Sequence, residues 1–349
     1  MALKLRDKLN RITGSAERIR REISELSELN RAQPDSEREG RLVELRHRLF
    51  LALERRPPDQ TPPEQLRSVD GVERPWVVDG LPEVDAPSLD PLAIRSAMLS
   101  HGALLVRGLM DRDRAARLRE GIDIALADRD GYLAGGSVDD SADGPTTPHF
   151  DPFIPDKRYD LEAAGWNRIR EGSGAVWVSD SPRMLFELLE AFGDAGILQV
   201  AAAYLGEEPT FSMNKSVLRR SPPGTGSAWH QDGAFLGRDI RTLNVWLALS
   251  DCGEDAPGMD LVPKRLPILQ TGTHGATFVW SVADQLVEEV AEGEPIASPV
   301  FEPGDALLFD HLNLHRTGVR PEMDKMRYAT ETWCFAPSSF PDDLIPVVL

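Results

Sequence analysis

The chain has 349 residues, 41% of them hydrophobic, with 57 acids against 39 bases and a formal charge of −18. That length exceeds one minimal core, and that charge argues against nucleic acid or an anionic membrane surface as a partner. Gly 28 and Pro 27 are too few for a low-complexity chain, while Cys252 and Cys334 make neither a disulfide framework nor a zinc-binding pair.

Residues 1–56 read as an antiparallel helical hairpin. Leu5, Leu9, Ile12, Ala16, Ile19, Ile23 and Leu26 recur at spacings of four and three, the seam of a heptad. Pro34-Asp35 ends this helix, and Ser36-Glu37-Arg38-Glu39 reads as a capping box for the next. Leu42, Leu45, Leu49 and Leu53 stripe the second helix until Pro57-Pro58. The seam is expected either to pack on the main domain or to join two copies as a homodimer. Charges stand where a signal peptide would need apolar residues, and no run approaches the ~20 apolar residues of a membrane span. A cytoplasmic protein is therefore expected.

Residues 57–90 hold seven prolines and read as a linker. From 91 onward the pattern is that of a domain. Leu104-Leu105-Val106 is a short strand, 111–127 a helix started by Asp111, 138–182 long loops in which Trp166 and Trp177 pack, and 182–205 a helix. The character then turns to β, with strands at 209–218, 243–249, 278–280, 306–309 and 328–335 between Gly, Pro and Asp turns. The expected fold is mainly β with flanking helices: a double-stranded β-helix (jelly-roll, cupin-like) core over 91–349 plus the N-terminal hairpin.

No phosphate-cradling glycine loop and no nucleophile elbow is present. The outstanding segment is Trp229-His230-Gln231-Asp232-Gly233. On an extended strand residues i and i+2 share a face, which aims His230 and Asp232 at one point. Much later, Asp310-His311-Leu312-Asn313-Leu314-His315 offers a distal imidazole, from His311 or from His315. Two histidines and one carboxylate leave three adjacent metal positions open, the arrangement of non-haem Fe(II) oxygenases. Arg327 follows, a guanidinium suited to the far carboxylate of 2-oxoglutarate, with Arg320 and Lys325 as rivals. His149-Phe150-Asp151 is a second His-x-Asp, flanked by Pro148 and Pro152, and reads as an ordinary surface loop or a loop over the active site touching substrate rather than a metal site.

Together these segments resemble the phytanoyl-CoA dioxygenase family of Fe(II)/2-oxoglutarate oxygenases. The likeness rests on residues 229–233, Leu243-Asn244-Val245-Trp246-Leu247-Ala248-Leu249, and Ala256-Pro257-Gly258-Met259-Asp260-Leu261-Val262-Pro263. It continues through Pro303-Gly304-Asp305-Ala306-Leu307-Leu308-Phe309 and Leu314-His315-Arg316-Thr317-Gly318, with residues 101–109 as an opening strand. The resemblance implies His230, Asp232 and His315 as iron ligands and leaves His311 a supporting role. It implies that Arg327 holds the 2-oxoglutarate carboxylate with help from Thr317, and that Asn244 and Lys215 are further co-substrate contacts. The cofactors implied are Fe(II), 2-oxoglutarate and O₂. The reaction implied is oxidative decarboxylation of 2-oxoglutarate to succinate and CO₂, coupled to hydroxylation or further oxidation of a small molecule. Asp232 itself argues against halogenation, which needs a small residue at that position. The chain departs from the family at Pro263-Lys264-Arg265-Leu266, where Pro-Gly-Ser-His is frequent, so 266–298 reads as a variable insertion.

Two rivals stand beside this reading. A non-catalytic jelly-roll binding protein would carry a broken triad, and a cupin-type isomerase or hydrolase would need no carboxylate clamp. Residues 1–56 hold 14 bases against 10 acids, which leaves −22 on residues 57–349. So anionic a region suits a cationic or neutral substrate, such as an amino sugar, better than an acyl-CoA. The N-terminal extension and the preference for arginine over lysine point to specialised metabolism such as antibiotic biosynthesis.

Overall fold

The computed structural model describes residues 2–53, 76–78, 80–135, 148–152 and 174–349, with backbone alone over 2–14 and at Trp76. Residues 57–75, Trp166 and most of the 138–182 loops lie outside the described residues, as do the side chains of Leu5, Leu9 and Ile12. Helices α1 (Ala2–Ala32) and α2 (Ser36–Ala52) form the hairpin. Ala16, Ile19 and Ile23 are buried in one cluster with Leu42, Leu45 and Leu49. The described half of the seam is therefore covered within the chain.

The start of α2 differs from the capping box expected. Asp35 is the cap, its carboxylate accepting from the Arg38 amide at 2.8 Å. An aspartate one residue earlier already supplies a charged acceptor, so Ser36 becomes the first helical residue. Glu39 is then free to turn inward, where it is buried and accepts from Asn30 Nδ2 at 3.0 Å and Arg183 Nη1 at 2.9 Å.

Strands β1 (Trp76–Val78) and β2 (Leu81–Asp85) fall in the stretch read as linker; β2 lies parallel to the later strand Ala103–Arg107 and extends the sheet edge. Helix α3 (Pro91–Ser100) leads into that strand, β3, and then into α4 (Arg112–Leu133), which Asp111 caps as the sequence suggests. After β4 (Ala175–Trp177), the single helix expected over 182–205 is two, α5 (Pro182–Asp194) and α6 (Ile197–Leu205), bent by 81°. Gly196 between them takes φ 71°, a left-handed conformation that an L side chain resists. Likewise the strand expected over 209–218 is two, β5 (Thr210–Ser212) and β6 (Val217–Ser221), with Lys215 in the turn between. The remaining elements are α7 (Gly233–Leu236), β7 (Thr242–Ala248), β8 (Gly258–Leu261) and α8 (Asp284–Ala291). They are followed by β9 (Ala306–Phe309), β10 (His315–Gly318), β11 (Arg327–Phe335) and β12 (Pro346–Val348).

The large sheet runs β1-β2-β3-β9-β7-β11-β5-β12, with β6 also on β11 and β4 beyond it. Strand β7 is buried at all seven positions and β9 at all four, as strands covered on both faces must be. The small sheet is the antiparallel pair β8–β10, with His315 opposite Leu261 and Gly318 opposite Gly258. Isolated bridges widen it, His230 to both His315 and Ser281, and Leu261 to Ala297. This is the mainly β jelly roll with flanking helices. Outside it, α2 is fastened to β12 by Arg46 Nη1 donating to Val348 O at 3.0 Å and by His47 Nδ1 at 2.9 Å from Pro346 O. Among the described residues no single helix is long and apolar enough to cross a membrane.

Candidate metal centre

His230 and His315 are backbone partners. His230 N donates to His315 O at 3.0 Å and His315 N to His230 O at 3.1 Å, so a small-sheet bridge brings together residues 85 positions apart. Their rings lie 4.4 Å apart between centroids, and Phe309 of β9 packs on His315 at 4.8 Å. Each Nδ1 faces a backbone carbonyl, His230 that of Ala228 at 2.8 Å and His315 that of Asn313 at 3.1 Å. A carbonyl only accepts, so Nδ1 carries the proton and Nε2 presents a lone pair.

Asp232 stands opposite both, with His230 Nε2 at 4.0 Å from Oδ1 and His315 Nε2 at 3.7 Å from Oδ2. Its backbone is not the extended one expected. At φ −64°, ψ −22° it is helical, and its carbonyl accepts from Leu236 N at 2.8 Å, so the carboxylate is carried by the entry into α7. What enforces the turn is Gly233, whose amide donates to His311 O at 2.8 Å. A Cβ there would lie 2.4 Å from Ile268 Cδ1 and 3.0 Å from His311 O, so a side chain would crowd the turn and push Ile268 aside. Gln231, fully buried, pins the other side by donating to Pro267 O and Leu312 O and accepting from Leu269 N.

One donor atom from each of His230, Asp232 and His315 lies within 4.8 Å of the others, and no other such group of three is found among the described residues. Burial lifts the Asp232 carboxyl to about 6 and pushes the His315 imidazole well below its ordinary value. Both shifts say that charge is penalised here, which a divalent cation between the donors reverses. Two imidazole nitrogens and one carboxylate are donors that a divalent transition metal would accept. The donor set fits a metal.

His311 lies outside this group. It sits in the turn before β10, buried, with Nε2 at 3.2 Å from Arg238 O and Nδ1 at 3.4 Å from Thr242 Oγ1. Thr317, two residues beyond His315 on β10, shares its face by alternation, and its amide donates to Ser227 Oγ at 2.7 Å. Arg327 opens β11 of the large sheet, opposite Ser221 of β6, with Nη1 donating to Gly258 O at 3.3 Å and Nη2 to Ser221 Oγ at 2.9 Å. It is 1% exposed, its Nε has no hydrogen-bond partner, and no carboxylate lies within ion-pair distance among the described residues. Burial, and then the nearby Arg219, pull its pKa down to about 10. A buried guanidinium without an acid costs several kcal/mol unless an anion completes it.

Asn244 is buried on β7 opposite Phe309, and its Oδ1 accepts from Thr332 N at 3.2 Å. The Lys215 ammonium sits 4.7 Å above the Phe235 ring, with its pKa lowered to about 8 by burial against the pull of Asp232. One neighbour escaped the sequence reading. Residues 278–280 form no strand, and Trp280 stands edge-on to His230 at 5.4 Å between ring centroids. Three consecutive apolar residues in a Gly/Thr/Ser-rich stretch were the available signal.

A family model described as "Phytanoyl-CoA dioxygenase (PhyH)" matches residues 98–319. Among solved structures, EctD from S. alaskensis in its apoform aligns over 78% of this chain and 83% of its own, with TM-score 0.50 and 18% identity. EvdO2 from Micromonospora carbonacea var. aurantiaca, complexed with 2-oxoglutarate, aligns over 73% and 91% with TM-score 0.46 and 17% identity. AviO1 from Streptomyces viridochromogenes Tue57 aligns over 73% and 98% with TM-score 0.46 and 17% identity. Among curated proteins no sequence relative matches.

Proposed function

The chain belongs to the phytanoyl-CoA dioxygenase family of non-haem iron, 2-oxoglutarate-dependent oxygenases, and from that premise we propose that His230, Asp232 and His315 hold the iron. The observation that carries this reading is the convergence of the three donors, with both Nδ1 protons held by carbonyls. When bound, iron supplies the activation of O₂ that couples loss of CO₂ from 2-oxoglutarate to oxidation of the second substrate.

The residues around the triad have separate tasks. Arg327 receives the distal carboxylate of 2-oxoglutarate, using the donor capacity that Gly258 O and Ser221 Oγ leave over. Thr317, on the His315 face of β10, adds a hydroxyl, and Asn244 and Lys215 line the co-substrate's side of the barrel. Phe309 and Trp246, both buried, keep water from the walls. A cupin-type isomerase would have no use for Arg327 as it stands, which favours the oxygenase reading over that rival. The substrate is a small molecule of specialised metabolism, hydroxylated or oxidised further, and the charge of −22 on residues 57–349 favours a cationic or neutral one such as an amino sugar.

The test is 2-oxoglutarate binding by calorimetry and succinate formation with Fe(II) across a panel of candidate substrates. Binding that requires metal, and turnover that disappears in His230→Ala, are expected. Neither binding nor succinate with any substrate would end this reading.

A further inference from the structure

Phe278, Val279 and Trp280 are 50%, 84% and 37% exposed, three large apolar residues in a row at the surface. Leaving such area in water forgoes roughly 25 cal/mol per Å² of burial, and contiguous exposed apolar groups mark binding surfaces. The loop that carries them is firmly based. Ser281 is fully buried, its hydroxyl donating to Phe278 O at 2.9 Å and accepting from Phe278 N at 2.8 Å. Ser281 also bridges to His230, Val282 N donates to Trp229 O at 2.8 Å, and Gly272 N donates to Ser281 O at 3.0 Å. The apolar tip is thus built onto the segment that carries the first histidine of the triad.

The rings are arranged as a corner. Phe278 stacks on Trp280 at 5.2 Å with 18° between planes. Trp280 in turn meets Phe235 at 6.0 Å and 78°, and His230 at 5.4 Å and 73°. Fixed planes meeting near right angles favour a flat guest over a flexible chain, because stacking and edge contacts then add to area. We propose that Phe278, Trp280 and Phe235 form a rim that receives the flat apolar face of a ring in the substrate and sets that ring beside His230. The proposal rests on the reading of the triad as the metal site and narrows its substrate to ring-bearing molecules. An aromatic ring and the C–H face of a sugar share this chemistry.

Indole and methyl β-D-glucoside are the probes, followed by saturation-transfer NMR with the full-length protein before and after loading with Mn(II). At least one probe should receive transfer, and its protons should broaden when Mn(II) is added. Trp280→Ala and Phe278→Ala should each weaken its binding by roughly 2- to 10-fold, and Trp280→Phe should restore part of the loss. Circular dichroism checks that the variants are folded. Absence of transfer to both probes, or equal transfer in wild type and Trp280→Ala, would overturn the rim. So would dissociation of self-associated protein by Val279→Ser with the probe signal unchanged, which would give the loop to a contact between copies. Calorimetry of Mn(II) in the same samples separates the two readings. The triad fails if Mn(II) does not bind; the rim fails if Mn(II) binds and the probes ignore Trp280.

Discussion

The chain contains the pattern His-x-Asp twice, and the two copies meet different fates. At 149–151 the backbone is fastened on both sides: His149 N donates to Asp128 Oδ2 at 2.8 Å, His149 O accepts from Ser181 Oγ, and Asp151 N donates to Asp180 O at 2.9 Å. Phe150 is buried between them, and His149 lines a cleft with Leu118, Gly121 and Met184 of α4 and α5. At 230–232 the middle residue is instead Gln231, which holds a neighbouring loop, while the outer two meet a histidine from β10. Burial raises the carboxyl pKa of Asp151 and of Asp232 alike. A perturbed acid beside a histidine therefore does not distinguish the two segments. The partner delivered by the small sheet does.

The strongest way to break this comparison is to remove one histidine from each copy. His230→Ala should abolish 2-oxoglutarate turnover and weaken metal binding by at least about 100-fold, since a lost ligand exceeds the ~10–100-fold cost of losing a supporting hydrogen bond. His149→Ala should leave calorimetric metal binding unchanged. Metal loss in His149→Ala would erase the distinction.

Next comes Arg327, the buried guanidinium proposed to serve the triad's co-substrate. Arg327→Ala should raise the dissociation constant for 2-oxoglutarate by roughly 30- to 1000-fold, the range for removing one partner of a buried charge pair. Metal affinity should stay as it was. Arg327→Lys should recover little, because an ammonium lacks the planar fork.

A smaller effect sharpens the reason for the turn after Asp232. Gly233→Ala should cost roughly 1–3 kcal/mol in denaturant unfolding, the usual price of overpacking, because Ile268 and the His311 carbonyl already occupy the space. Stability unchanged would mean the turn is looser than its contacts imply.

The smallest expected effect concerns the thiols. Burial pushes both Cys252 and Cys334 up to about 12 from an ordinary value of 9.0. Raised thiols are less ionised, so at pH 8 iodoacetamide should leave both unmodified in the folded protein. Mass spectrometry after timed labelling checks this, and rapid labelling of either would contradict the packing around it.

Much of this molecule was legible in its sequence where local pattern and tertiary environment agree. The jelly-roll class followed from short apolar strands, and 306–309 and 328–335 fall on β9 and β11 within a residue. The candidate triad was legible in the His-x-Asp pattern together with the family resemblance that preferred His315 to His311. Elsewhere a competing interaction won. The helix over 182–205 broke where Gly196 takes a left-handed φ, and the capping box lost to an aspartate one residue earlier. The prolines of 75–87 suggested a linker, although β2 forms among them, lying between β1 and β3, with Pro82 just before its first pair with β3 at Glu83.

By itself the sequence determined the donor types, the mainly β class with its flanking helices, and the strongly acidic balance of the chain. It could not determine how the His230–Asp232 pair would meet His315, that Asp232 would be held by a helical turn, or that an apolar tripeptide would become an exposed aromatic corner beside His230. Those depend on contacts between residues tens of positions apart: the His230–His315 bridge, the His311 carbonyl against Gly233, and Ser281 against His230. Local periodicity reports how a segment prefers to bend. Only the closed sheet decides what each segment finds in front of it.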